Sequence, residues 1–112
     1  MIVNGNLDLK DSNIESLGNL KEVKGHLNLM NSKIIFLPKG LKVEGSLNLR
    51  ESEITSLPEN LEVGGALNIR GTKIISLPKG LKVEGIINLE FTKIKEKYVL
   101  DNFLELYRKC RF

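Results

Sequence analysis

The chain has 112 residues, and its 17 basic and 14 acidic side chains leave a net charge of +3. This length predicts a single domain, and a hydrophobic content of 41% excludes both a disordered and a fibrous chain. One histidine and one cysteine are too few for a zinc site built from these ligands, and no motif predicts a cofactor, so we expect neither metal nor cofactor.

The expected location depends on the cysteine content and on hydropathy. No apolar run approaches the roughly 20 residues of a membrane-spanning helix, and the first residues lack the basic-then-apolar order of a secretory signal. Cys110 is the only cysteine, so it cannot form a disulfide within the chain. We therefore expect a cytoplasmic protein without a membrane partner, in the producing cell or in an infected one.

A repeat of twenty residues dominates the chain from its third residue onward. Valines recur at this spacing, and glycines follow two residues later. The two columns are Val3, Val23, Val43, Val63 and Val83, and Gly5, Gly25, Gly45, Gly65 and Gly85. Further apolar columns begin at Leu7, Leu9, Ile14 and Leu17. Such self-similarity is the signature of a solenoid, in which each repeat forms one coil and equivalent residues stack.

The two halves of each repeat predict different local structure. The half that reads Val-x-Gly-x-Leu-x-Leu alternates between apolar and other residues, which is typical of a strand with one buried face. The half that reads Ile-x-x-Leu-Pro favours an irregular or 3₁₀-like return, because proline is excluded from the interior of a sheet. We therefore predict a repeat solenoid of five coils that form one parallel β-sheet.

Two further columns predict details of the coil. At the glycines we expect a corner, either because a Cβ atom would clash there or because φ must be positive. A column of hydroxyl side chains follows the strand, and we expect these groups to bond backbone atoms that the turn leaves unpaired. The hydroxyl column comprises Ser12, Ser32, Ser52, Thr72 and Thr92.

The repeat stops after Ile94, and the residues that follow predict a helix. Their apolar side chains fall at helical spacing. They are Val99, Leu100, Phe103, Leu104, Tyr107 and Cys110. We predict a solenoid over residues 1–97 and a capping α-helix over residues 98–112; the alternative is a helix that binds a partner. All of the excess positive charge lies in residues 93–112, as expected near the C-terminus of a helix.

The segment from Leu47 to Pro58, LNLRESEITSLP, resembles a short leucine-rich repeat. It is similar to the twenty-residue, Leu-Pro class of bacterial and phage leucine-rich repeats, and five copies agree over about residues 3–97. Serine or threonine takes the place of the family's usual asparagine, and Val-x-Gly replaces its leading leucine. The resemblance implies a solenoid that binds proteins through exposed side chains of its strands.

The first coil begins almost at Met1, so no residues remain to cover it. An open strand edge and an apolar end that face water are a liability that proteins normally manage. One hypothesis is that a second copy of the chain covers this end in a two-fold homodimer. The alternative is that the polar residues of the first coil protect it. The candidate dimer edge comprises Met1, Ile2, Val3, Asn4 and Asn6.

The outward strand positions differ from coil to coil, so we expect function on that face. The candidate partner-binding residues are His26, Met30, Asn48, Arg50, Asn68 and Arg70. The asparagines belong to a column for which we favour a structural ladder of stacked amides, with partner binding as the alternative. Arg50 and Arg70, on adjacent coils, could clamp a carboxylate or phosphate, or could pair with acidic neighbours such as Glu90.

Catalysis is the least supported function. Ser46, His26 and Asp8 lie on adjacent predicted coils and imitate a Ser-His-Asp set. The face that would carry them is open and offers no oxyanion hole or water-excluding pocket, so we predict that the protein is not an enzyme.

We therefore predict a non-enzymatic protein-binding module, which could serve a phage or bacterium as an inhibitor or effector. One alternative is a nucleic-acid or anionic-ligand binder that uses the basic C-terminal segment, although an aromatic content of 5% argues against nucleic acid. Another alternative is a structural or oligomerisation spacer. On the return side, the apolar residues Ile35, Phe36 and Ile75 are a second candidate protein contact.

Overall fold

A computed structural model describes residues 1–112 as a rod with extents of 36 × 22 × 18 Å. The chain winds through five coils, and each residue of a strand pairs in parallel with the residue twenty positions later, as in Val23 with Val43 and Leu27 with Leu47. The predicted parallel-strand repeat solenoid is therefore confirmed. The returns between strands are irregular, with a turn before each new coil.

Each coil contributes two short strands that belong to two separate sheets, where the sequence predicted one strand and one sheet. Sheet A contains β1 (Ile2–Val3), β3 (Glu22–Val23), β5 (Lys42–Val43), β7 (Glu62–Val63) and β9 (Lys82–Val83). Sheet B contains β2 (Leu7–Asp8), β4 (Leu27–Asn28), β6 (Leu47–Asn48), β8 (Leu67–Asn68), β10 (Ile87–Asn88) and β11 (Cys110–Arg111). The prediction of a single sheet was wrong because the chain bends at the glycine column, between the two strands of every coil.

Close contact between coils explains these corner glycines. A Cβ atom at Gly85 would lie 2.8 Å from the carbonyl oxygen of Gly65 and 2.9 Å from its carbonyl carbon, which is closer than real Cβ contacts allow. The positive-φ glycines of the chain lie elsewhere, so of the two predicted reasons the steric one applies. Gly5 is different: a Cβ atom there would meet nothing within 4 Å, because no coil precedes it.

The core is a continuous row of stacked aliphatic side chains inside the coils. Leu27, Leu47, Leu67 and Ile87 form one such column and are completely buried. The hydroxyl column closes the turn that follows sheet B, as predicted: the Thr72 Oγ1 atom donates to the Ile69 carbonyl at 2.8 Å. Two members depart from this behaviour, since the Oγ atoms of Ser12 and Ser52 are buried without a partner.

The C-terminal segment forms two short helices and a strand, where one helix was predicted. Helix α1 spans Glu96–Asn102, the backbone breaks at Phe103 with φ −139° and ψ 55°, and helix α2 spans Leu104–Tyr107. The final strand β11 then pairs with β10. A helix over residues 98–112 would leave the edge of β10 unpaired, whereas the Lys109 and Arg111 carbonyls accept hydrogen bonds from Ile87 and Leu89 N–H.

This break also changes which side chains are buried. Val99 and Leu106 pack into the core, while Leu100 and Leu104, which the helical spacing placed on the apolar face, are 42% and 69% exposed. No helix has the length and apolar character that crossing a membrane requires.

Candidate functional site

Sheet B carries the predicted partner-binding residues on its outward surface. We call this surface the sheet B face and define it by three columns that run along the rod. They are the Asn6, His26, Ser46, Ala66 and Ile86 column; the Asp8, Asn28, Asn48, Asn68 and Asn88 column; and the Lys10, Met30, Arg50, Arg70 and Glu90 column. All six predicted residues therefore lie on one face, as expected from the repeat.

The asparagine column binds backbone atoms of its own coils. Each side-chain oxygen accepts a hydrogen bond from the backbone N–H two residues later, at 3.0 Å for both Asn48 and Asn68. Asn28 and Asn88 form the same contact. The column is thus a series of local turns, and the predicted ladder of amides bonded from coil to coil does not form. The amide N–H groups of these side chains have no acceptor within the protein.

The neighbouring column links successive coils through side-chain acceptors. The Asn6 oxygen accepts from His26 N–H at 2.7 Å, His26 Nδ1 accepts from Ser46 N–H at 2.8 Å, and Ser46 Oγ accepts from Ala66 N–H at 3.0 Å. These amide groups lie at the corner between the sheets, where the backbone ladder is interrupted. With Nδ1 engaged as an acceptor, Nε2 is the ring atom of His26 left to face outward partners. The series ends at Ala66, which has no acceptor to offer.

These contacts leave no Ser-His-Asp arrangement. His26 Nδ1 is occupied by the backbone of Ser46 and not by its hydroxyl group. Asp8 accepts from Lys10 N–H at 3.2 Å and does not orient the imidazole. The hydroxyl of Ser46 accordingly has no base positioned to remove its proton.

The two arginines of the third column are in different environments. Arg70 forms an ion pair with Glu90 at 3.0 Å and lies over the Phe91 ring, 4.6 Å from its centroid. Arg50 is exposed and forms no ion pair. The predicted clamp of two arginines is therefore not assembled, since Arg70 pairs with an acidic neighbour, the alternative that the sequence left open. Met30 is half-buried beside them.

Arg111 joins this face, and the sequence analysis missed it. Strand β11 places Arg111 in register with Asn88, so it extends the asparagine column by one rung and is exposed. The prediction of one helix over residues 98–112 concealed this position. The sequence did contain a sign of this strand. Polar and apolar side chains alternate over Lys109, Cys110, Arg111 and Phe112, which is the two-residue period of a strand.

The other surfaces carry either balanced charges or apolar side chains that are separated by polar ones. The outward side chains of sheet A alternate in charge along Glu22, Lys42, Glu62 and Lys82, and Lys24 pairs with Glu22 at 3.8 Å. On the return side Phe36 is 57% exposed and Ile75 is 66% exposed, but they lie on coils two apart with polar residues between them.

Two cations of the C-terminal segment make contacts within the cap. Lys97 pairs with Asp101 at 2.7 Å, and the Lys109 ammonium group donates to the Val83 carbonyl at 2.7 Å. Burial raises the pKa of the Cys110 thiol to about 11, so this thiol is uncharged at neutral pH and is a packing residue.

The candidate dimer edge is exposed as predicted. Met1 and Ile2 are 74% and 52% exposed, Asn4 and Asn6 are also exposed, and Val3 is half-buried. The homodimer through this edge stays a prediction.

Comparison with known proteins gave no relative. No protein-family model matches the chain, and no curated protein or solved structure is significantly similar to it.

Proposed function

We propose that the protein is a non-enzymatic binding module that recognises another protein through the sheet B face. The observation that carries this proposal is the direction of the hydrogen bonds on that face. Its acceptor atoms on Asn48, Asn68 and His26 are bound to the protein's own backbone. The amide N–H groups, the imidazole Nε2–H and the Arg50 guanidinium are left for a partner.

The rigidity of the face supports the same function. Each strand of β4, β6, β8 and β10 is paired on both sides, and every outward asparagine is held by its own turn. A surface that is already ordered loses little conformational entropy on binding, so its hydrogen bonds contribute more fully to affinity. Met30 adds a half-buried apolar contact beside these donors.

The resemblance to short leucine-rich repeats stays a prediction and agrees with this proposal, because members of that family bind proteins through strand side chains. It is also the basis for proposing a bacterial or phage protein that acts in the cytoplasm as an inhibitor or effector. The alternative of nucleic-acid binding through the basic terminal segment is less well supported, since Lys97 and Lys109 are engaged within the cap.

Replacement of Asn48 and Asn68 by aspartate tests the proposal. Asp8 occupies the same column and forms the same turn bond to Lys10 N–H, so N48D/N68D keeps the fold while removing two outward donors. With the tagged protein as bait in a lysate of its host, we expect a partner that the wild type captures and the double variant loses. A matched control is N13D/N19D, which changes the charge equally away from the face. A partner captured equally by all three proteins would contradict the proposal.

A further inference from the structure

We propose that the partner presents a carboxylate-rich, extended polypeptide segment to the sheet B face. This inference rests on the proposed function and specifies the chemistry of the partner. Its basis is an imbalance between donors and acceptors that runs along the whole face.

The donors outnumber the free acceptors because of the local turns. Four asparagines each direct an oxygen at their own backbone and leave an NH₂ group outward. His26 adds Nε2–H, since its Nδ1 atom is occupied. A partner that met this face with its own donors would leave both sets unpaired, which costs free energy on desolvation. Carboxylates carry only acceptors and are the best complement to such a surface.

The unpaired charges are distributed unevenly along the face. Arg50 and Arg111 form no ion pair, whereas the charge of Arg70 is neutralised by Glu90. Asp8, the acidic member of the asparagine column, lies at the opposite end from Arg111. Lys10 offsets Asp8 on the first coil, so the face is neutral there and positive from the third coil onward, which favours acidic groups over coils 3–5 and β11.

The spacing of the two free arginines defines the length of the segment. Arg50 follows the third rung of sheet B and Arg111 belongs to the sixth, so three strand spacings of about 4.8 Å separate them by roughly 14 Å along the rod. Arg111 shares the asparagine column and Arg50 lies two residues farther across the face, so their backbone positions are about 16 Å apart, and their long side chains can converge from that distance. In an extended chain, residues four apart lie about 13.6 Å apart on the same side. We infer a segment in which two acidic residues four positions apart reach the two guanidinium groups and the residues between them contact the asparagine amides.

The composition of the face favours a protein over a nucleic acid. Binding to phosphates depends mainly on neutralisation by several cations, and from the third coil onward this face offers only two that are free, Arg50 and Arg111, with Lys10 at the far end. The one exposed phenyl ring beside this face, that of Phe91, already lies over Arg70. Neutral amides in a row suit carboxylates and peptide carbonyls better than a dense line of phosphates.

A nuclear magnetic resonance titration tests the inference, because side-chain amide groups give their own ¹H–¹⁵N signals. The probe is a nine-residue synthetic peptide with glutamate at every fourth position and serine elsewhere, compared with the same peptide carrying glutamine. We expect saturable shifts of the Asn48, Asn68 and Asn88 side-chain signals with the glutamate peptide only. The Asn13 and Asn19 signals, which lie away from the face, serve as internal controls.

Charge variants provide the matched comparison. R50A/R111A is expected to weaken binding roughly tenfold or more, since it removes both charge-assisted contacts. K39A/K79A removes the same charge from the return side and is expected to leave binding unchanged.

Three results would overturn the inference: equal shifts with the glutamine peptide, equal weakening by both charge variants, or tighter binding of single-stranded DNA of matched charge. A captured partner that depends on Asn48 and Asn68 but has no acidic segment at the contact would overturn this inference and leave the proposed function standing. A partner that does not depend on them would overturn both.

Discussion

The two ends of the solenoid expose the same kind of edge but are protected differently. At the C-terminal end, the Lys109 and Arg111 carbonyls accept hydrogen bonds from Ile87 and Leu89 N–H at 2.7 Å each. The Lys109 side chain donates to the Val83 carbonyl as a further backbone N–H would. At the N-terminal end nothing covers the first coil. Ile14 is consequently half-exposed, whereas its equivalent Ile94 is 5% exposed.

This difference shows that a repeat specifies the interior of a solenoid and not its ends. An inner coil is covered by its neighbours, but a terminal coil needs residues from outside the pattern. The first coil instead carries charge: Asp8 stands where every later coil has asparagine, and Asp11 and Lys10 lie beside it. Charged side chains on an edge strand discourage pairing with another edge.

These charges bear directly on the predicted homodimer through the first coil. Antiparallel pairing of two copies around β2 would bring Asp8 close to its symmetry mate, which is unfavourable. Light scattering at micromolar concentration decides it, and a mass of one chain would contradict the homodimer.

The largest effect is expected from deletion of residues 109–112. The deletion removes β11 and the Lys109 contact, so the edge of β10 opens, and we expect the free energy of unfolding to fall by about 4 kcal/mol. Urea denaturation measures the change. Deletion of Met1 and Ile2 at the opposite end serves as control. It removes two exposed side chains, half of β1 and the Met1 carbonyl that accepts from Lys21 N–H, and is expected to cost about 1 kcal/mol. Equal losses at both ends would contradict the assigned cap.

The isoleucine column compares the ends with one chemical change. Ile94→Ala is expected to destabilise the protein by about 3 kcal/mol, because it leaves a cavity beneath the cap. Ile14→Ala removes the same atoms from a half-exposed position and is expected to cost about 1 kcal/mol. Thermal and urea unfolding of the pair measures the difference, and a larger loss at Ile14 would show that something covers the first coil in solution.

The glycine column offers a similar pair with smaller effects. Gly85→Ala forces a Cβ atom against the Gly65 backbone and is expected to cost about 2 kcal/mol. Gly5→Ala enters open space and is expected to be neutral, or to stabilise by about 0.5 kcal/mol through the unfolded state. Destabilisation by Gly5→Ala comparable to that at Gly85 would indicate that another chain packs against the first coil.

The smallest effect concerns the side-chain acceptors that begin at the N-terminal end. His26→Ala leaves Ser46 N–H without its partner and is expected to cost about 1 kcal/mol. His26→Asn restores an acceptor, as Asn6 provides one coil earlier, and is expected to recover most of this loss. Denaturation midpoints of the two variants test the contact, and identical values would mean that the acceptor contributes nothing.

The sequence predicted the candidate surface better than the behaviour of its residues. The odd or even position of a residue along each strand placed His26, Asn48 and Arg50 on one face, because successive side chains of a strand point to opposite sides. This alternation does not reveal what each polar atom binds. Arg70 is held by Glu90 twenty residues later, and Arg111 reaches the face through a strand that helical spacing had obscured.

The repeat period, the stacking of like residues and the division into inward and outward positions were determined by the sequence itself, because they follow from short-range alternation repeated in register. The tertiary structure alone decided that each coil bends into two sheets, that the final residues return as β11, and that the acceptors of the sheet B face bind its own backbone. These outcomes depend on which backbone groups a neighbouring coil leaves unpaired, and that is a property of the folded chain.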